Sequence, residues 1–403
     1  MKKNVKHRFG LIQKILALCA VIALCAGIPS ALAQTGNQGG AAMLNAEELF
    51  SDRDLNQTPD LSDAVTYTVQ SGEDILLTEA GVYVLTGSAE NVTVFVEAGD
   101  KDKVHLVLDG VTVTNSDFPC IYVKSADKVF ITTVSDSALS VTGTFRKDGS
   151  VNTDGAVFSR ADLTLNGTAA LTVVSTDNGV VCKDDLKITG GTYRITASSK
   201  AIEANDSIRI RDGSLTLQAG TDGLHAENSD DGALGYVYIG GGSLSVNAGD
   251  DGIHGSSLVQ IDGGSLEITA AEGIEGTYIQ INGGTVSIQA RDDGINAAQK
   301  SSAYRPTVEI NGGDVSISMG AGDTDGVDSN GDIYINGGTV TVTGSSTFDY
   351  DGTGQISGGT VIVNGQQVST LPNQFMGGGP GGMGGGPGGM GGQGGRGGWG
   401  RGR

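Results

Sequence analysis

The sequence predicts an all-β fold, a single-stranded right-handed parallel β-helix, and three observations predict it. The first is a recurring unit in which an apolar-polar-apolar triplet precedes paired glycines: Leu186-Lys-Ile-Thr-Gly-Gly, Val259-Gln-Ile-Asp-Gly-Gly, Ile279-Gln-Ile-Asn-Gly-Gly, Val308-Glu-Ile-Asn-Gly-Gly and Ile333-Tyr-Ile-Asn-Gly-Gly. The second apolar residue of each unit falls at 165, 188, 210, 239, 261, 281, 310, 335 and 356, so the units are 20 to 29 residues long. The second observation is the continuation of each unit beyond its glycines: an alternating strand such as Thr285-Val-Ser-Ile-Gln-Ala, an acidic-Gly turn, and a short third strand such as Ile295-Asn296. Alternation sends one set of side chains inward and the other outward, and glycine supplies the positive φ of the turns. The third is that no helix-length apolar pattern interrupts residues 81–364, which excludes βαβ units and the helical return of leucine-rich repeats. A unit this short cannot bury its inner face alone, whereas stacked units can, and parallel crossovers are right-handed.

The elements follow in chain order. Lys2, Lys3, Lys6, Arg8 and Lys14 precede an apolar run from Ile15 to Ile28 and then Ala31-Leu-Ala33, the pattern of a secretory signal over 1–33. The run is too short to prefer spanning a membrane, so a secreted or cell-surface protein is expected. Residues 34–80 form an N-terminal segment in which Ala41–Phe50 is expected to make a short helix capping the open end of the solenoid. The β-helix itself is placed at 81–364. Residues 365–403 form a tail rich in Gly, Met and Pro, with two copies of Met-Gly-Gly-Gly-Pro-Gly-Gly at 376–382 and 383–389, too apolar-poor to fold. Of the cysteines, Cys120 and Cys182 survive signal cleavage; they fall two coils apart, about 9.6 Å at about 4.8 Å per coil, beyond disulfide reach, and are expected to be free and buried.

Charge narrows the partners. The chain holds 25 basic and 46 acidic residues, and cleavage leaves 20 against 46, a net −26. Such a chain repels nucleic acid and anionic lipid and attracts divalent cations. The acidic-Gly turns stack, and the position two beyond each glycine runs Val157, Val181, Glu203, His225, His254, Glu275, Asn296 and Asp328, so a polar ladder begins at the third of these coils. Stacked carboxylates about 5 Å apart repel unless protonated, paired or metal-bound, and oxygen-only clusters suit Ca²⁺. The best cluster is Asp323, Asp325 and Asp328 with Asp349 and Asp351 one coil later; next come Asp250 and Asp251 with Asp222, and Asp292 and Asp293 with Glu272 and Glu275.

Two insertions, near 226–236 and 297–307, leave the solenoid after equivalent strands about 15 Å apart. They are expected to wall a groove whose floor is His225, His254, Glu275 and Asn296. Outward positions of the first strand run Lys187, Arg209, Tyr238, Gln260, Gln280, Glu309 and Tyr334. Tyr238 and Tyr334 are placed to stack on sugar rings, and Arg291, beside Asp292, is the basic residue a uronate would meet.

The segments Phe50-Ser-Asp-Arg-Asp-Leu55, Val107-Leu-Asp-Gly-Val111, Ile121-Tyr-Val-Lys-Ser-Ala-Asp-Lys128, Asp154-Gly-Ala-Val-Phe-Ser-Arg-Ala-Asp-Leu163, Lys183-Asp-Asp-Leu-Lys-Ile-Thr-Gly190, Asp325-Gly-Val-Asp-Ser-Asn-Gly331 and Phe348-Asp-Tyr-Asp-Gly352 carry a resemblance. Together they resemble secreted bacterial carbohydrate-binding β-helices that bear calcium and share the pectate-lyase fold. The resemblance covers about 50–364 and implies binding of cellulose or a polygalacturonate-like glycan without catalysis; a monomer is expected. Ser199-Lys-Ala-Ile-Glu203 departs from the acidic-Gly turn pattern and weakens a metal site at that coil.

Two rivals stand beside this reading. A pectin-active enzyme is suggested by Asn152-Thr-Asp-Gly155, Asp250-Asp251 and Arg209-Ile-Arg211. Yet Asp154 and Asp251 fall four coils apart, near 20 Å, where an inverting pair needs ~6.5–9.5 Å; Asp222 and Asp251, on adjacent coils, come nearer a glycosidase spacing. The other rival is a structural or adhesive surface protein that calcium merely stiffens.

Overall fold

The computed structural model describes residues 43–320 and 324–373, so the signal segment, Asp323 and the Gly-rich tail from 374 lie outside the described residues. The chain winds as a parallel β-helix. Each coil contributes a strand to a first face (Asp185–Ile188, Ser207–Ile210, Thr307–Ile310), to a second face (Thr192–Ala197, Ser214–Ala219, Asp314–Met319) and to a third (Asn178–Cys182, Ile202–Ala204, Ile295–Ala297). The second face is a 13-stranded sheet. The first and third join as 23 strands because Asp251–Ile261 and Glu272–Ile281 run unbroken across both. Neighbouring coils pair in parallel; at the C-terminal end Gln366–Val368 folds back antiparallel on Thr360–Val363.

The period read from the sequence is the core. Ile188, Ile210, Ile239, Ile261, Ile281, Ile310 and Ile335 stand in one register-matched column, each 2% exposed or less. Burying each such side chain contributes about 1.5–3 kcal/mol, which a single coil without neighbours would not obtain. The turn glycines are equally constrained: Gly284 has φ +87°, and a Cβ there would lie 2.7 Å from the Gly264 carbonyl oxygen of the preceding coil. Beside them the Asn of the Ile-Asn-Gly-Gly unit builds an amide ladder, Asn336 donating to Asn311 (2.9 Å), Asn311 to Asn282 (2.8 Å) and Asn282 to Asp262 (2.7 Å). Cys120 and Cys182 are buried and free, as expected.

Three expectations are corrected. The solenoid begins earlier than residue 81: Val65–Thr68 already pairs with the strand Gly81–Thr86, and Ile75–Leu77 with Val94–Glu97. In the third face Phe158, not Val157, pairs with Val181, so Val157 points into the core; the Asp154-Gly and Asn178-Gly turns are one residue out of step. No helix forms at 43–50, which makes turns; helix α1 is Asp52–Leu55, and it caps nothing at the solenoid's end.

Instead the N-terminal segment is a strap laid along the first face. The Met43 and Leu44 amides donate to the side chains of Gln280 and Gln260 (3.0 and 2.6 Å), and Gln57 donates to the Thr189 carbonyl (3.1 Å). Asp54, closed into a capping box with Ser51, is fully buried and takes Lys128 Nζ at 2.6 Å and Lys187 Nζ at 3.2 Å. Although burial opposes it, these ammonium groups and the Ser51 amide hold the Asp54 carboxyl well below the usual range. Lys128, Thr164, Lys187, Gln260 and Gln280 of the polar outward row of the first face therefore find partners in a segment between 74 and 237 residues away.

Candidate functional site

The third face carries one unbroken outward column. Register pairs link Leu76, Phe95, Tyr122, Phe158, Val181, Glu203, His225, His254, Glu275, Asn296, Asp328 and Asp349 in that order. From Glu203 onward the column is polar. Three residues before each rung a second column runs along the turn: Asp222, Asp251, Glu272, Asp293 and Asp325.

In the first part of this double column each carboxylate has a basic side chain beside it. Lys183 and Lys200 reach Glu203 (2.5 and 3.4 Å), and His225 Nδ1 lies 2.8 Å from Asp222. His254 Nδ1 is 3.0 Å from Asp251 and 2.7 Å from Glu275, whose other oxygen takes Lys300 at 2.5 Å. The two imidazoles are stacked, centroids 4.6 Å apart and planes at 13°. Burial alone would lower the His254 pKa, but the two carboxylates on Nδ1 outweigh it and raise it to about 9. The same contacts overcome burial at Glu275 and bring it down to about 2.

In the second part, among the described residues, no basic side chain forms an ion pair with Glu272, Asp293 or Asp328, and Lys300, which acts on Glu272 at longer range, is bonded to Glu275. Glu272 is pushed up to about 7 by burial and the nearby Glu275, Asp251 and Asp293 carboxylates, against one hydrogen bond from Asn296 (3.0 Å). Burial and the Asp292, Asp325 and Glu275 charges raise Asp293 to about 6, although the Asp325 amide donates to it at 3.0 Å. Asp328 is raised to about 7 by burial and by Asp293, Asp349 and Asp325. Asn296 Oδ1, on the rung between Glu275 and Asp328, is buried with no donor. Among the described residues these acceptor groups are stacked without an ion pair of their own, the electrostatics that a bound cation would relieve.

The insertions do not flank a groove. They converge: the Ser301 hydroxyl donates to the Gly232 carbonyl, and Thr277 Oγ1 accepts the Lys300 and Ser301 amides (3.0 and 2.8 Å). The result is one wall along one edge of the column. At its start Lys200, Glu203, Asn205, His225, Glu227 and Asn228 line an open cavity of about 320 Å³.

A family model described as carbohydrate-binding domain-containing protein matches residues 71–326 and 276–367, most of the chain. The chain belongs to that family. A carbohydrate-binding domain-containing protein of Acetivibrio thermocellus is 32% identical over 188 residues, which is 43% of this chain and 64% of that relative, so the match spans less than two thirds of the relative's length. A solved polysaccharide lyase-like protein from C. thermocellum, a gadolinium derivative, aligns at 22% identity with a TM-score of 0.42, covering 75% of this chain and 94% of that one.

For this carbohydrate-binding domain, the residues singled out by sequence divide by face. His225, His254, Glu275 and Asn296 are neighbours on the third face, as expected. Tyr238 is corrected: it lies on the first face, 1% exposed beneath Phe50 of the strap (centroids 6.2 Å), with its hydroxyl on Asp262, so no sugar ring reaches it. Tyr334 is half-buried on that same first face, remote from the histidines. Arg291 is exposed and donates to the Gly249 carbonyl at 2.8 Å. Among the acids, Asp222, Asp251, Glu272, Asp293, Asp325, Asp328 and Asp349 stand in the double column, whereas Asp250, Asp292 and Asp351 point to solvent off it. Lys200, Glu227 and Asn228 were not singled out; the only signal was that the first two flank the ladder positions Glu203 and His225.

Proposed function

We propose that this chain binds a polysaccharide without cleaving it, along the open polar half of the third face, and that Ca²⁺ is held where the column is oxygen-only. The carrying observation is the run Glu272, Asp293, Asn296 and Asp328, whose carboxyls are raised to between about 6 and about 7 and whose amide oxygen is orphaned. Carboxylates and an amide carbonyl are the donors Ca²⁺ takes, so the residues fit the ion. Asp325 and Asp349 flank this run in register. Calcium bound there supplies a positive charge at the surface that a uronate carboxylate can share; the chain's own part is to present that charge beside the wall 297–307 and to offer Lys200, Asn228 and the His225 ring to hydroxyls and carboxylates at the cavity.

The enzyme reading draws less support from the geometry. Asp222 and Asp251, the pair with the nearer glycosidase spacing, are each engaged by a histidine, and Asp222 Oδ1 also accepts the Asp251 amide at 3.3 Å. Neither is a free acid or base facing an open cleft, and Arg291 is committed to a backbone carbonyl. Calorimetric titration with polygalacturonate and cellulose oligomers, with and without EGTA, together with an assay for new reducing or unsaturated ends, tests the proposal. Calcium-dependent heat without new ends is expected. New chain ends would sink the non-catalytic reading, and absence of affinity for either glycan would leave a structural protein.

A further inference from the structure

We propose that Asp251, His254 and Glu275 form a second kind of metal site, one that takes a first-row transition ion such as Mn²⁺, Co²⁺ or Ni²⁺ through His254 Nδ1 and is separate from the oxygen-only calcium column.

Three donors converge here from adjacent coils, and each residue is more than nine-tenths buried: Asp251 8% exposed, His254 7% and Glu275 5%. One oxygen of each carboxylate and a ring nitrogen all lie within 4.8 Å of one another. The separations from Nδ1, 3.0 Å to Asp251 Oδ2 and 2.7 Å to Glu275 Oε2, say which geometry is preformed. Metal–ligand bonds of about 2.1 Å place cis ligands of a six-coordinate ion about 3.0 Å apart and tetrahedral ligands about 3.4 Å apart. Both separations are closer to cis positions of a six-coordinate ion than to tetrahedral ones, leaving the other positions to water or to a sugar hydroxyl. Imidazole with carboxylates selects a transition ion over Ca²⁺, which prefers oxygen and longer bonds.

The supporting shell is already in place. The His225 ring stacked at 4.6 Å fixes the plane of His254, Lys300 holds the second oxygen of Glu275, and Glu272 stands in register with Asp251 as the next oxygen along the turn column. A ligand so braced needs little reorganisation to accept a metal. With no ion, a proton on Nδ1 bridges the same two carboxylates, so proton and metal occupy one position in turn.

The probe is Co²⁺ alone, added to the mature chain stripped with chelator and held in excess Ca²⁺. One equivalent of Co²⁺ should bind with visible bands shifted from the aquo ion by nitrogen ligation, and excess Ca²⁺ should not displace it. His254→Ala should weaken it by about a hundredfold or more, whereas Asp328→Asn should leave it unchanged and lower calcium affinity. Glu275→Gln keeps the side-chain shape and gives a second readout should His254→Ala fail to fold. Co²⁺ binding of equal strength in His254→Ala or in Glu275→Gln, displacement of Co²⁺ by Ca²⁺, or an aquo-like spectrum would overturn the proposal and leave a proton-bridged ion cluster.

Discussion

The outward column of the third face changes character halfway, and the two halves teach what exposure on a β-helix depends on. From Phe95 to Val181 it is apolar, and a loop of the chain folds over it: the Arg146 guanidinium lies 3.8 Å from the Phe118 ring centroid, Val151 packs on the cluster, and Asp148 accepts the Tyr122 hydroxyl at 3.3 Å. The Tyr122 ring meets Phe158 and Phe118 edge-on, centroids 5.6 and 5.8 Å away. This is a second, smaller core outside the solenoid. From Glu203 to Asp349 the same positions are polar and the loops rise to one side; Glu203, His225, Asn296, Asp328 and Asp349 stay half-exposed, while His254 and Glu275 are buried among their ion-pair partners. Equal backbone thus carries an apolar column that a loop seals and a polar column that no loop crosses in the same way.

The largest expected effects break the sealed regions. Phe158→Ala should destabilise by about 3–5 kcal/mol, because it empties a site with no means of collapse between rigid coils; thermal unfolding would show it, and calcium and glycan binding should be unchanged. Asp54→Ala should cost about 3–5 kcal/mol as well, since Lys128 and Lys187 would be left buried without their anion. Its signature is increased proteolysis of the strap at 43–60 in limited digestion.

Intermediate effects sharpen the polar half. Glu272, Asp293 and Asp328 have folded pKa values raised to about 7, about 6 and about 7. A carboxyl raised on folding favours the folded state while protonated, so that stability is present below the unfolded values near pH 4 and is lost as pH rises through the folded ones. In chelator the melting temperature should therefore fall between about pH 4 and about pH 7 by this contribution. Added Ca²⁺ should restore it, and Asp328→Asn should flatten the profile. A melting curve in chelator that is identical for wild type and Asp328→Asn would show that these carboxyls do not repel. The smallest effect is expected at Asp250 and Asp292: exposed off the double column, either one changed to Asn should shift stability by less than about 0.5 kcal/mol and leave calcium affinity as it was.

Much of this architecture was legible in the residues. The Ile column, the positive-φ glycines and the histidine-carboxylate ladder are local periodic features, and a parallel stack converts each period directly into a neighbour. Where the period slips, legibility ends. The one-residue offset that puts Phe158 rather than Val157 outward is set by which backbone groups pair across the coils, Gly155 standing opposite Asn178, and the similar spelling of the two turns does not report it. Tyr238 read as an exposed sugar contact because alternation reports inward or outward, not whether something lies on top.

The sequence alone therefore determined the coil, its three strands per turn and, from Val181 to Asp328 where the turns keep step, which residues share a rung, since each depends on spacing within about 25 residues. The tertiary structure alone decided which outward faces remain open. The strap on the first face is held by Asp54 on lysines 74 and 133 residues away, and the two insertions meet across 69 residues. No local pattern encodes such contacts, because burial of an ion pair or closure of a loop depends on what the completed solenoid brings alongside.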